Sequence, residues 1–312
     1  MKILPLSPKK MPPILRRSEW TRWFLVAAVY TVGCLMHLRF SLWLVRTRET
    51  AFGSLSYAQL VPAVAVVAAI ALAIGIAMQL RRSPRPWLTG GYWLAWVAAV
   101  ATADRYLTFS LNELAHYPQY ALVAWLLARA MDPGRTRWHV GRLLFWTTLL
   151  GAGDELLQYL WITASYSDYF DFNDCLVNLL GAAAGLLLYY GAAALPSPDS
   201  ERTPPRVEAA AVGILAFAVA AFLNSGLVVL SPAAAVVVPP GGTVRQSDGS
   251  WRLYLQRGPR FHGSWQGGQR HAKYYVLPPV AGLGFMLAAG LVFAGFGSRR
   301  GALARPTLRS GA

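Results

Sequence analysis

Ionisable and amide side chains recur at helical spacing in three stretches of the sequence. Residues three or four positions apart lie on the same face of a helix. Carboxylate and imidazole groups gathered in this way could act as general acid and base or could hold a divalent cation, and a histidine beside a carboxylate could relay protons. The candidate residues are Glu113, His116 and Tyr120, then Asp154, Glu155 and Gln158, and finally Asp174 and Asn178.

The composition indicates that these polar residues lie in a membrane. The chain has 312 residues, of which 55% are hydrophobic and only 14% are charged, with a formal net charge of +15. Soluble domains carry about 25% charged residues, which argues against an ordinary globular enzyme. In so apolar a chain, the basic excess favours a lipid bilayer over nucleic acid as the partner.

Eight apolar runs come close to the length of about 20 residues that a membrane-spanning helix needs. The third and fourth runs are the weakest, because Asp104, Arg105, Asn112 and Glu113 lie between them. The sequence therefore predicts an all-α polytopic membrane protein with about eight transmembrane helices. The runs are Trp23–Leu38, Ala58–Leu80, Tyr92–Leu107, Glu113–Ala130, Leu143–Ile162, Asp174–Ala194, Ala209–Leu230 and Val276–Phe296.

The basic residues predict the orientation of these helices. With a cytoplasmic N-terminus, about two thirds of the 29 Lys and Arg residues lie on the cytoplasmic side, as expected because Lys and Arg beside a helix end resist translocation. Most of the others lie in a single outer loop, residues 232–275. Both termini are therefore predicted to be cytoplasmic, and the basic N-terminal tail is expected to meet anionic lipid.

A segment rich in Pro and charge divides the chain. Residues 195–207 contain four prolines and predict a linker, because no spanning helix tolerates such a composition. The linker separates a six-helix transmembrane unit, residues 23–194, from a two-helix unit, residues 208–298. Basic cytoplasmic tails, residues 1–22 and 299–312, flank the two units.

The outer loop, residues 232–275, is predicted to contain two or three short strands. The runs Val236–Val238, Trp251–Gln256 and Lys273–Leu277 are β-branched and aromatic, and Gly and Pro bound them. Aromatic and Arg residues are enriched in interface cores, so the loop could dock a partner; the alternative is a small β cap anchored at the lipid head groups. The interface candidates are Trp251, Tyr254, Phe261 and Trp265.

The predicted orientation places the three polar faces at a similar depth. The fourth and sixth helices run inward and the fifth runs outward, so His116, Glu155 and Asp174 all lie toward the outer leaflet. Asp154 and Arg105 are added as secondary members of the same site. Ionisable groups in membrane helices are functional candidates by default. The alternative is that hydrogen bonds among them only hold the bundle together.

No cofactor is evident from the sequence. The outer segment 163–173 has no Lys or Arg, and carboxylates crowd around it, which favours a cation or a cationic group as ligand. Cys34 and Cys175 do not form the Cys/His spacing of a usual zinc site. The metal hypothesis is therefore a divalent cation held by carboxylates and an imidazole.

The order and spacing of these motifs resemble the VanZ-like family of bacterial membrane proteins over about residues 105–192. Two departures concern basic groups: Asn112-Glu113 stands where the family has Asp-Lys, and Asp168 stands where an Arg is common. Anionic-substrate chemistry therefore does not carry over through those positions. The matching residues are Asn112-Glu113 with His116-Tyr117 and Tyr120, then Glu155-Leu-Leu-Gln158, then Asp174-Cys-Leu-Val-Asn178 followed by Gly181 and Gly185.

The resemblance implies an integral protein of the bacterial inner membrane, associated with the cell envelope. Three functions remain open. The first is binding of an envelope lipid or precursor in the outer-leaflet polar pocket. The second is an accessory subunit of a larger membrane protein complex that docks through the outer loop. The third is an enzyme acting on a lipid-linked envelope intermediate, although the sequence contains no Ser/His/Asp arrangement and no phosphate-binding Gly loop.

Overall fold

Each of the eight apolar segments of the sequence contains an α-helix. The computed structural model describes residues 13–46, 57–193 and 206–302, and these are mostly helical with two small sheets. The helices are α1 (Pro13–Arg46), α2 (Tyr57–Arg82), α3 (Pro86–Leu107), α4 (His116–Met131), α5 (Val140–Leu157), α6 (Phe172–Tyr190), α7 (Arg206–Asn224) and α8 (Pro279–Ala302).

Four helices of the described chain are long and apolar enough to cross a membrane. Length and composition therefore support four of the eight predicted spans. The spans are Pro62–Arg82, Phe172–Tyr190, Arg206–Asn224 and Pro279–Gly297.

Irregular turns shorten two of the predicted spans as α-helices. Helix α4 has 16 residues, because a 3-10 turn over Leu111–Ala115 replaces the α-helix expected from Glu113. Helix α5 has 18 residues and passes into a π-helical turn over Gln158–Ile162. Both irregular turns lie at the ends of the helices that carry the polar residues.

The predicted tails and linker differ from the structure at their edges. Helix α1 begins at Pro13, inside the predicted tail 1–22, and α8 continues to Ala302, inside the predicted tail 299–312. The predicted linker 195–207 lies outside the described residues except for its last two, which begin α7.

Helix α6 lies at the centre of the helical bundle, and 89% of its most apolar stretch is buried. It packs against α3, α4, α5 and α8. Two glycines allow the approach to α4: an added Cβ at Gly181 would lie 2.8 Å from the carbonyl oxygen of Tyr117, and one at Gly185 would lie 2.8 Å from the carbonyl carbon of Ala121. Small residues four apart allow such close helix contacts.

The segment between α7 and α8 forms five short strands, more than the two or three expected. They are β1 (Val228–Val229), β2 (Thr243–Arg245), β3 (Trp251–Tyr254), β4 (Ser264–Gly267) and β5 (Lys273–Val276). Strand β3 pairs parallel to β1 and antiparallel to β2, while β4 and β5 form a separate antiparallel pair. The predicted strand Val236–Val238 is wrong, because those residues have no ladder partner.

The first strand lies inside the segment predicted as the seventh helix, Ala209–Leu230. Helix α7 ends at Asn224, and Gly226 follows with a φ of +71°. Glycine adopts this left-handed conformation without the steric cost that other residues incur. The chain therefore leaves the helix early and enters β1.

The segment between α7 and α8 is a cap that packs on the helical bundle. The backbone of Phe170 donates to Leu255 at 2.8 Å, and that of Arg257 donates to Asp168 at 2.7 Å. The hydroxyl of Tyr159 donates to the carbonyl of Tyr254 at 2.6 Å. These bonds attach the cap, residues 228–277, beside the C-terminal end of α5 and the N-terminal end of α6, where the polar faces lie.

Asn173 joins three elements at the base of the cap. Its amide donates to the carbonyls of Leu107 and Tyr275, both at 2.8 Å, and its oxygen accepts from the backbone N–H of Leu277 at 2.9 Å. Each buried group left unpaired costs about 1–3 kcal/mol. We therefore expect Asn173→Ala to loosen β5 locally.

Hydrogen exchange of the full-length protein would measure this loosening. We expect amides of β5 to exchange at least ten times faster in Asn173→Ala. Asp248→Ala, in an exposed turn of the same cap, is the control and should leave β5 unchanged. Unchanged exchange in Asn173→Ala would show that Asn173 does not anchor the cap.

Candidate functional site

The structure brings six of the nine candidate residues into one buried cluster, here named the polar centre. Helix α4 contributes two of them from its first turns, α5 contributes two from its last turn, and α6 contributes two from its first turns. All six are buried. They are His116, Tyr120, Asp154, Glu155, Asp174 and Asn178.

Asn178 fixes the orientation of two neighbours. Its amide nitrogen donates to Glu155 Oε1 at 2.9 Å, so its oxygen faces His116 Nδ1 at 2.8 Å. A carboxylate only accepts hydrogen bonds, which sets the direction of the amide. Nδ1 of His116 therefore carries a hydrogen, and in the neutral imidazole the lone pair is on Nε2.

That lone pair faces another acceptor. His116 Nε2 lies 3.7 Å from Asp174 Oδ2, which is longer than an N–H···O hydrogen bond. Two acceptors that face each other in a buried place need a proton or a cation between them. The direction of the Asn178 amide therefore allows a proton or a cation to lie between His116 and Asp174.

The carboxyl groups of the polar centre also favour a proton or a cation at this place. It contains three carboxyl groups, and none of them pairs with a Lys or Arg in the part of the chain that the structure describes. Asp154 accepts from the hydroxyl of Tyr120 at 2.7 Å, but its second oxygen has no hydrogen bond, and the same holds for Oδ1 of Asp174. Buried charges are normally paired or bind metals.

Asp171 adds a fourth carboxyl at the edge of the polar centre. Its side chain caps α6 by accepting from the backbone N–H groups of Asn173 and Asp174, at 2.8 and 3.2 Å. Burial, and then the neighbouring carboxylate of Asp174, raise the pKa of Asp171 to about 8. The N-terminal end of α6 therefore gathers carboxyl groups that cannot all be ionised together unless a cation lies among them.

Three side chains of the polar centre could hold a metal ion. His116, Glu155 and Asp174 each offer one ligand atom, and these atoms lie within 4.8 Å of one another. Imidazole with carboxylate oxygens suits first-row divalent ions such as Mn²⁺ and Zn²⁺. Asn178 contacts two of the three ligands, and such partners orient the ligands of metal sites.

Three candidate residues lie outside the polar centre. Glu113 accepts from the backbone N–H groups of Phe109 and Ser110, at 2.8 and 3.1 Å, so it caps the 3-10 turn instead of facing His116. Gln158 is buried one turn beyond Glu155, with no hydrogen bond to its side-chain nitrogen. The guanidinium of Arg105 lies 5.5 Å above the ring of Tyr106 at the end of α3.

The four interface candidates divide between the inside and the outside of the cap. Tyr254 is buried, and Phe261 packs against Tyr169 with ring centroids 5.6 Å apart. Trp251 and Trp265 are 59% and 53% exposed. Two of the four predicted docking residues therefore pack against the protein itself, and the other two lie on its surface.

Two residues near the polar centre were missed at the sequence level. Gly151 allows α5 to approach α6, since an added Cβ would lie 2.9 Å from Cβ of Asn178. Cys34, buried on α1, interacts with Asp154. The small residues directly before Asp154 in the sequence were the available signal for Gly151, whereas nothing near Cys34 pointed to α5.

No protein-family model, curated protein or solved structure matches this chain. The fold and the site nevertheless define a class of protein. It is a mostly helical protein with several helices of membrane-spanning length and a buried carboxylate and imidazole centre beneath a small β-containing cap.

Proposed function

We propose that this chain is an integral membrane protein whose polar centre binds a divalent cation. In this proposal about eight helices span a bacterial inner membrane, both termini are cytoplasmic, and the cap lies on the outer side. Apolar exposure supports the membrane location: only 6% of the most apolar stretch of α2 and of α7 is buried, and 17% of that of α8. Such surfaces are stable in contact with lipid.

One observation carries the binding proposal. His116 Nε2 and Asp174 Oδ2 face each other at 3.7 Å, in a cluster of three carboxyl groups without a Lys or Arg partner among the described residues. A divalent ion would satisfy His116, Glu155 and Asp174 together, and Asn178 would hold two of these ligands in place. Membership of the VanZ-like family stays a proposal, supported by the motifs that meet at this centre.

A binding titration tests the proposal. Full-length protein in detergent micelles is stripped with EDTA and titrated with Mn²⁺, whose free concentration is read by electron paramagnetic resonance. We expect one Mn²⁺ per chain, and at least a hundredfold weaker binding in Asp174→Asn, because a carboxylate ligand is lost.

Asp168→Asn is the matched control. It makes the same chemical change six residues earlier, at a side chain that is 49% exposed and lies outside the polar centre. Its Mn²⁺ affinity should equal that of the unaltered chain. Equal affinities in Asp174→Asn and Asp168→Asn, or no Mn²⁺ binding by the unaltered protein, would refute the proposal and leave shared protons as the balance for the buried carboxyl groups.

A further inference from the structure

A second site, of opposite charge, lies at the outer end of α3. An open pocket of about 760 Å³ is lined by this helix end and by the β4–β5 pair of the cap. Its chemistry differs from that of the polar centre, because basic and aromatic side chains dominate the lining. The lining residues are Arg105, Tyr106, Trp265, Arg270, His271, Ala272 and Lys273.

One basic residue of the pocket is held in place by an acid. Arg270 donates two hydrogen bonds to the carboxylate of Asp104, at 2.6 and 3.0 Å, and the pair neutralises itself. His271 lies 3.5 Å from the same carboxylate. Asp104 therefore fixes the basic wall of the pocket but offsets only one of its charges.

The other two basic residues have no such partner. Arg105 lies over the ring of Tyr106, and neither Arg105 nor Lys273 forms an ion pair within the described ranges. Both residues are exposed. The pocket thus presents two uncompensated positive charges from different elements, α3 and β5, that converge on one space.

Two aromatic rings form the exposed rim of this space. Tyr106 is 48% exposed, Trp265 is 53% exposed, and their ring centroids are 6.4 Å apart. Exposed Tyr and Trp are favoured at the level of lipid head groups. In the proposed orientation the outer end of α3 lies at that level, so the pocket opens where lipid phosphates lie.

We infer that this pocket binds a phosphate group, presented by the head group of an outer-leaflet lipid. Arg and Lys are the residues that recognise phosphate, Arg through its fork of N–H donors and Lys as a point charge. The inference adds an anion site to the proposed cation site and does not depend on metal binding.

Lipid competition tests the inference. Full-length protein is placed in nanodiscs containing equal amounts of phosphatidate and phosphatidylcholine, and the lipids retained after release are counted by native mass spectrometry. We expect at least tenfold enrichment of phosphatidate on the unaltered protein. The double variant Arg105→Gln/Lys273→Gln should lose this enrichment, while Mn²⁺ binding stays unchanged.

A double variant of equal charge serves as the control. Arg245→Gln/Arg252→Gln removes two exposed basic residues from β2 and β3, outside the pocket, and should keep the enrichment. Arg105→Lys/Lys273→Arg conserves charge and should also keep most of it. These variants separate a defined site from general attraction between a basic protein and anionic lipid.

Inorganic pyrophosphate distinguishes the source of the phosphate. Pyrophosphate is titrated into the detergent-solubilised protein and into both Gln double variants. If only Arg105→Gln/Lys273→Gln loses pyrophosphate binding, the pocket is an anion site even without phosphatidate enrichment, and its ligand is then a soluble phosphate. If the two Gln double variants behave alike with both probes, or if the unaltered protein shows no preference for either, the inference is overturned.

Discussion

We expect Glu155→Gln to raise the thermal midpoint of the metal-free protein and to remove the stabilisation that Mn²⁺ gives the unaltered chain. Without metal, three buried carboxyl groups repel one another or must take up protons. Gln removes one charge, keeps the shape, and still accepts the hydrogen bond from Asn178. The free energy of unfolding without metal should rise by roughly 1–2 kcal/mol, since buried charges are often less favourable than neutral groups of similar volume.

With Mn²⁺ present, Glu155→Gln should instead be less stable than the unaltered chain. A ligand at a hundred times its dissociation constant stabilises a folded protein by about 2.7 kcal/mol. Glu155→Gln loses a ligand atom and therefore most of that contribution. Thermal unfolding of the full chain in detergent, once with EDTA and once with excess Mn²⁺, gives the metal-free and the metal-bound midpoint of each variant.

A stability change in Glu155→Gln that is positive without Mn²⁺ and negative with Mn²⁺ distinguishes a metal site from a structural hydrogen-bond network. If the polar centre only held α4, α5 and α6 together, Glu155→Gln would lower the midpoint by the same amount in both buffers. Asp168→Asn, at a side chain that is half exposed and outside the polar centre, should shift neither value. A uniform loss in Glu155→Gln would therefore contradict the metal site.

Residues four apart on a single helix were predictable from the sequence. The pairs His116 and Tyr120, and Asp174 and Asn178, lie on common faces because the period of the helix requires it. The polar faces of α4, α5 and α6 also meet in the structure. The prediction grouped them from the hydrophobic pattern and from the orientation that it assigned to the helices.

The partners of each side chain were not predictable in the same way. Glu113 was assigned to the face of His116, but its side chain forms a capping box with Ser110, and α4 begins only at His116. The choice between α-helix and 3-10 turn depends on hydrogen bonds to neighbouring backbone, which helical periodicity does not register. Arg105 faces the cap for a related reason, because its neighbours come from residues 265–273.

The cap illustrates how tertiary contacts decide short strands. Val236–Val238 has a β-branched composition and forms no strand, whereas Ser264–Gly267 has a weaker pattern and pairs with β5. Strand propensity reflects packing against neighbours more than backbone preference. Asn173 and Tyr159 determine where the cap attaches, and neither residue lies near it in sequence.

We expect Gly185→Ala to separate α4 from α6 and to weaken the polar centre from a distance. A Cβ at this position would overlap the backbone of Ala121, including its carbonyl carbon at 2.8 Å. Backbone cannot rotate away as a flexible side chain can, so the helices must move apart. Overpacking of this kind costs about 1–3 kcal/mol, and occasionally more.

The displacement also reaches the ligands. His116 and Tyr120 come from α4, while Asp174 and Asn178 come from α6, so a wider gap lengthens the 2.8 Å contact between His116 and Asn178. We expect the Mn²⁺ affinity to fall about tenfold in Gly185→Ala, together with the thermal midpoint. If the helix shift displaces the ligands, Mn²⁺ affinity and thermal midpoint should fall together.

Gly290→Ala is the matched control for this change. Gly290 lies in α8, where nothing stands within 4 Å of an added Cβ. Ala favours a helix over Gly by about 1 kcal/mol, so this variant should be neutral or slightly more stable. If Gly185→Ala is as stable as Gly290→Ala, the close contact between α4 and α6 does not stabilise the protein. Contacts other than that at Gly185 would then hold the ligands of the polar centre in place.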